Sequence, residues 1–115
     1  WINDNMGWWF KNPDGSWPKN TWREISYNAK KDWYFFNQSG YMNTGWLTWN
    51  GNWYYLNENS DQNVIKGSMA KGWQMINGKW YYFYEKTEGN NPAGSMAKSI
   101  VIQGYSINED GVWVK

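Results

Sequence analysis

Twelve of the 115 residues are Trp, joined by nine Tyr and four Phe, and these rings are the side chains whose types and spacing offer chemistry. The face of an indole attracts cations, by about 0.5–1 kcal/mol when exposed and about 2 kcal/mol or more when desolvated. Several rings set at angles make a cage. Its natural guest is a quaternary ammonium, which cannot hydrogen-bond and is weakly hydrated. Other chemistries are excluded. His and Cys are both absent, which removes His- and Cys-based triads, Cys/His zinc sites, redox motifs and disulfides. A glycosidase needs only two carboxylates, but Asp14, Glu58, Asp61, Glu85, Glu88, Glu109 and Asp110 all fall in predicted turns or inserted loops. The expectation is a chain with no catalytic residue, no metal and no cofactor. A net charge of +1 gives no electrostatic footprint for nucleic acid or an anionic membrane, and no run approaches the ~18 apolar residues of a membrane span.

The aromatic spacing is periodic. Gly45-Trp46-Leu47-Thr48-Trp49-Asn50-Gly51-Asn52-Trp53-Tyr54-Tyr55-Leu56 is echoed by Gly72-Trp73-Gln74-Met75-Ile76-Asn77-Gly78-Lys79-Trp80-Tyr81-Tyr82-Phe83. A looser copy runs from Trp22-Arg23-Glu24-Ile25 to Trp33-Tyr34-Phe35-Phe36. Each is followed by a Gly-x-Met element: Gly40-Tyr41-Met42, Gly67-Ser68-Met69 and Gly94-Ser95-Met96. The steps Met42 to Met69, Met69 to Met96, Trp46 to Trp73 and Trp53 to Trp80 are all 27 residues. Two partial copies flank these. Trp8-Trp9-Phe10-Lys11 with Gly15-Ser16-Trp17 reads as the second strand of an opening unit, with Trp17 where Met stands elsewhere. Ser99 to Lys115 keeps a hairpin outline and loses the Trp-Tyr-Tyr core, as a capping repeat does. The boundaries are units at about 7–20, 21–44, 45–71 and 72–98 with a cap at 99–115, all in one repeat module.

These residues must be positioned by hairpins. Asn-Gly at 50–51 and 77–78, between aromatic-rich runs, predicts type I′ turns, which need φ > 0 at both central residues. Strand alternation then puts Trp46, Thr48, Trp53 and Tyr55 on one face, and Leu47, Trp49, Tyr54 and Leu56 on the other. In the next unit Trp73, Met75, Trp80 and Tyr82 fall together, leaving Tyr81 and Phe83 for the opposite face. Leu, Ile, Val and Phe number only 17, so Tyr54, Tyr81 and their neighbours are expected to replace an aliphatic core. The Trp-bearing face is the expected binding surface. Residues 57–66 and 84–92 are polar insertions expected on the surface. The first full unit carries its extra residues, 26–32, in the hairpin tip. A lone hairpin is marginal in water, so an all-β stack of hairpins, a β-solenoid of four to five short units, is expected.

The string Gly-Trp-x(5)-Gly-x-Trp-Tyr-Tyr-Leu/Phe followed by Gly-x-Met resembles the choline-binding repeat of Gram-positive surface proteins, autolysins and phage lysins. The likeness runs from Gly7 to about Lys98. It implies a left-handed β-solenoid in which choline lies between consecutive hairpins, against two Trp of one unit, an aromatic of the next, and a Met. Carried onto this chain, one site would use Trp46 and Trp53 with Tyr82 and Met69. A second would use Trp22 and Trp33 with Tyr55 and Met42. A third set, Trp73, Trp80 and Met96, has Ile107 or Tyr105 of the cap as candidate partner. A fourth groups Trp8 with Phe35 and Trp17, with Trp1 as the candidate first-strand Trp.

By the same resemblance the module is secreted and cell-wall associated. It captures choline or phosphocholine of teichoic or lipoteichoic acid, and anchors an attached domain outside this stretch, such as an amidase or muramidase. The start at Trp1, with neither Met nor signal peptide, is read as an excised fragment. By analogy the C-terminal hairpin is where a homodimer would pair. Lys66, Lys71, Lys79 and Lys98 read as solvated surface, with attraction of teichoic phosphate as the alternative. The rival for the whole chain is a glucan-binding repeat module whose rings stack on sugars.

Overall fold

The computed structural model describes residues 1–27, 29–60 and 64–114. Every regular element in it is a β-strand. Five sheets follow in chain order. The first pairs β1 (Ile2–Asp4) with β2 (Gly7–Trp9), and the second pairs β3 (Thr21–Tyr27) with β4 (Lys30–Phe36). Next come β5 (Gly45–Trp49) with β6 (Asn52–Leu56), and β7 (Gly72–Ile76) with β8 (Lys79–Phe83). The last sheet has three strands, β9 (Ile100–Ile102), β10 (Tyr105–Ile107) and β11 (Trp113–Val114).

The turns are those the sequence asks for. Asn50 and Gly51 have φ of 49° and 81°, Asn77 and Gly78 have 51° and 80°, and Gln103-Gly104 in the cap repeats the pattern at 52° and 85°. The β7–β8 register pairs Trp73 with Tyr82 and Met75 with Trp80, as a two-residue loop requires.

One hydrogen-bonded cell recurs after every hairpin. The residue that leaves the second strand donates its N–H to the carbonyl of the x residue in Gly-x-Met, and the Gly N–H donates back to its carbonyl. The sets are Asn12/Gly15/Ser16, Asn37/Gly40/Tyr41, Asn57/Gly67/Ser68, Tyr84/Gly94/Ser95 and Asn108/Gly111/Val112. Three of these close over a short turn. The other two close over the inserted stretches, which are therefore spliced into an unchanged frame. This frame also sets the alignment: Trp113 stands where Met96 stands, so both terminal units carry Trp in the Met position.

The chain forms two compact units. The first comprises Trp1–Leu47 and Leu56–Met69, the second Thr48–Tyr55 and Ala70–Lys115. In the first, the Met42 N–H donates to the Trp8 carbonyl and the Met69 N–H to the Trp33 carbonyl, which stacks successive repeats. Its core is Ile25, Tyr34 and Phe36, with Trp1, Phe10, Met42 and Ile65 packed against them. In the second unit the Met96 N–H donates to the Trp53 carbonyl. Its core gathers Tyr82, Tyr84, Ala97 and Ile107, with Trp73 and Ile102 alongside. Glycines admit the repeated side chain. A Cβ on Gly67 would overlap Met42, one on Gly111 would overlap Met96, and one on Gly40 would overlap Trp17. Trp17 thus packs as a Met does elsewhere.

Four expectations need correction. The opening unit is a complete hairpin beginning at Ile2, not a lone second strand from residue 7, because Ile2 to Asp4 pairs with Gly7 to Trp9. The extra residues at 26–32 lengthen both strands rather than the tip. Tyr27 pairs with Lys30 around residues 28–29, and Ala29 takes the left-handed conformation at φ 61°. Tyr84, expected at the head of a surface loop, is buried, since its N–H and carbonyl close the frame and its ring packs on Tyr82. Tyr82 is 8% exposed while Tyr81 is half-buried, so at this hairpin Tyr82 and Phe83 fill the core position intended for Tyr81 and Phe83. Tyr54 and Leu56 are buried as expected. The reading of residues 61–63 as surface loop, including Asp61, and the parts of the tip and cap at Asn28 and Lys115 lie outside the described residues.

Candidate functional site

A cage of four aromatic rings lies within the second unit. Trp73 on β7, Trp80 on β8, Tyr105 at the start of β10 and Trp113 on β11 line a cavity of about 270 Å³. Tyr105 meets two of the other rings edge to face. Trp73 and Tyr105 have centroids 5.6 Å apart at 80°, and Tyr105 and Trp113 are 5.8 Å apart at 83°. Trp73 is buttressed behind by Tyr82 at 5.2 Å and 60°, and its indole N–H donates to the Gln103 side-chain oxygen. That hydrogen bond crosses from β7 to the cap turn and fixes the orientation of the ring.

This is the third expected set, and the cap completes it. Of the two partners considered, Ile107 is buried in the core and Tyr105 supplies the wall. The hydrogen-bonded frame puts Ser106, not Tyr105, at the position of Tyr55 and Tyr82. The cap strands are shorter, and Tyr105 reaches the cage from the hairpin tip. Trp113 falls outside the Trp-Tyr-Tyr string, although Gly111-Val112-Trp113 matches Gly94-Ser95-Met96 in form. Met96 lies against Gly111.

The other expected residues are placed as follows. Trp46 and Met69 belong to the first unit, Trp53 and Tyr82 to the second. Trp53 is 43% exposed, while Tyr82 has its ring against Trp73 and Tyr84. Trp22, Trp33 and Met42 lie in the first unit and Tyr55 in the second. Trp33 is 38% exposed, and Trp22 meets Phe35 edge to face at 5.2 Å. Met42 packs on the Ile25–Tyr34–Phe36 core. In the opening set, Trp8 lies against Trp1 at 6.5 Å, and Trp17 against Trp9 at 5.7 Å. Trp1 itself turns toward Tyr34 and Phe36, at 4.9 and 5.6 Å. It packs on that core and, together with Trp8, also lines a cavity of about 160 Å³. Trp8 and Trp17 line separate cavities.

Two family models match the sequence, one described as a choline-binding repeat over residues 22–67 and one as a putative cell wall binding repeat over residues 71–86. The choline-binding domain of Spr1274 in Streptococcus pneumoniae is 39% identical over 82% of this chain and 93% of its own, with a TM-score of 0.60. The chain belongs to the choline-binding repeat family. CbpF of Streptococcus pneumoniae, in complex with ipratropium, is 33% identical over the whole of this chain, with a TM-score of 0.78. The pneumococcal cell wall endolysin from phage Cp-1, complexed with choline, is 35% identical over 99% of this chain, with a TM-score of 0.70. The chain spans 32% of CbpF and 30% of the endolysin. No curated protein sequence matches it significantly.

A quaternary ammonium suits this aromatic cage on physical grounds. Its charge is spread over methyl groups, so it loses little hydration on entry and gains from every ring face it meets. The edge-to-face contacts of Tyr105 hold the walls at wide angles, which leaves ring faces toward the cavity instead of stacked on one another.

Proposed function

We propose that this chain is a non-catalytic cell-wall-binding module that captures choline, free or as phosphocholine, in aromatic cages. The observation that carries the reading is the cavity bounded by Trp73, Trp80, Tyr105 and Trp113, four rings belonging to one compact unit of a choline-binding-repeat chain. By repeat, Trp22 and Trp33 with Met42, all of the first unit, form a second choline contact. Each alone binds weakly. Linked along one chain they hold a choline-decorated polymer such as teichoic or lipoteichoic acid far more tightly, because each bound site raises the effective concentration at the next. The module thereby anchors an attached domain of a secreted protein at the wall.

A homodimer through the C-terminal hairpin is the assembly we favour. Ile100, Val101 and Val114 are exposed apolar residues gathered on its three-stranded sheet. Sedimentation should show a dimer that Val101→Glu dissociates, and a monomer at all concentrations would refute it.

Competition tests the ligand. Bound to choline-bearing cell walls, the chain should be released by free choline and retained in the presence of glucan oligomers. Release by the oligomers alone would replace this reading with a sugar-stacking one.

A further inference from the structure

The opening hairpin presents a second cavity whose chemistry differs from that of the cage. Asp4 on β1, Trp9 on β2, Trp17, Ser39, Gly40 and Tyr41 line about 160 Å³ within the first unit. Trp9 and Trp17 meet edge to face at 5.7 Å and 70°. Tyr41 donates its hydroxyl to Asp4 Oδ2 at 2.9 Å, and the Met6 N–H donates to Asp4 Oδ1 at 2.8 Å. Those two hydrogen bonds, the Met6 amide first, hold the Asp4 carboxyl below the usual range, so it stays ionised. Here three aromatic side chains lie beside an exposed negative charge held in place by two hydrogen bonds.

Three of the four principal residues depart from the repeat. Trp17 takes the Met position, Tyr41 the position of Ser68 and Ser95, and Asp4 comes from the short opening hairpin, while Trp9 stands where Tyr34 and Tyr54 stand. We propose that this cavity binds a protonated primary amine. A carboxylate beside ring faces favours any cation. It favours one bearing N–H groups most, because an ammonium can donate to the carboxylate at hydrogen-bond distance while methyl groups hold a quaternary nitrogen away. The indole of Trp17 already carries such a group from within the chain: Lys19 Nζ lies 5.3 Å from its ring centroid. The site stands apart from the choline cage in both residues and ligand class.

The test follows the indole N–H resonances of Trp9 and Trp17 in the full chain during titration with ethanolamine and, separately, with choline. Ethanolamine should shift both saturably and bind there more tightly than choline, and Asp4→Asn should weaken it about fivefold. Should Asp4→Asn disturb the opening hairpin, seen in the amide resonances of residues 2–9, salt decides on the unmodified chain. Ethanolamine should then bind markedly less tightly near 1 M sodium chloride, where screening acts within about 3 Å. The proposal is overturned if ethanolamine leaves Trp9 and Trp17 unmoved, or if choline binds there as tightly. It is equally overturned if neither the substitution nor salt changes the affinity. Choline responses at Trp73, Trp80 and Trp113 report the aromatic cage independently.

Discussion

Trp113→Ala isolates the contribution of the cap to choline binding. The ring forms one wall of the cage, held edge-on to Tyr105 at 5.8 Å and 83°, and belongs to a two-residue strand paired with β10. Its removal takes away one indole face in a partly desolvated site, about 1–2 kcal/mol of cation–π attraction. At about 1.4 kcal/mol per tenfold, choline affinity at this cage should fall roughly 5- to 30-fold. Trp113→Phe keeps a weaker ring and should fall in between. Titration followed by tryptophan fluorescence gives the affinities, with Met6→Ala, at an exposed turn of the first unit, as the control expected to bind normally. An unchanged affinity in Trp113→Ala would show that the cap does not complete a site. A loss equalled by Met6→Ala would show that the effect is not local.

Two predictions concern the scaffold. Gly111→Ala forces a methyl group against Met96 at a φ of 83°, so it should lose about 1–3 kcal/mol of stability in urea denaturation. Removing the obstacle with Met96→Ala should recover part of that, giving a coupling of about 0.5–3 kcal/mol, whereas simple additivity would mean the two do not touch. Tyr34 is fully buried, and its hydroxyl has no hydrogen-bond partner among the described residues. Burial, then the charges of Asp32 and Tyr27, pushes its phenol up to about 12 from 10.0. Above pH 10 the unfolded chain releases this proton while the folded chain keeps it, so its contribution to stability is complete below pH 10 and lost as pH rises through about 12. Tyr34→Phe should flatten the alkaline fall in melting temperature and cost nothing at neutral pH, since the lost hydroxyl gives up no partner. A fall of the same steepness in the variant would contradict this.

The hairpin frame was legible because its signals are local. Asn50-Gly51 and Asn77-Gly78 demand positive φ at two successive positions, and few sequences supply that outside type I′ turns. The period of 27 was legible for the same reason, being carried by Gly-x-Met elements that close one hydrogen-bonded cell. What escaped was set by pairing between segments. Residues 26–32 look like a loop by composition, yet strand pairing carries seven residues on each side, and Ala29 is held at positive φ by the pairs beside it. Tyr82 was aligned as a ligand-facing ring, but the second unit lays Tyr84, Ala97 and Ile107 around it. The cap lacks the Trp-Tyr-Tyr string, so an alignment on that string finds no partner for Trp73 and Trp80. The missing walls come from a shortened strand and from a Trp in the Met position. The backbone cell of Asn108, Gly111 and Val112 makes that equivalence plain.

The central claim is that choline sits among the rings of the second unit, and nuclear Overhauser contacts in the choline-saturated chain test it most directly. The trimethylammonium protons should contact the indole protons of Trp73, Trp80 and Trp113 and the ring protons of Tyr105. Saturable choline binding with none of these contacts would place the ligand elsewhere and contradict the account.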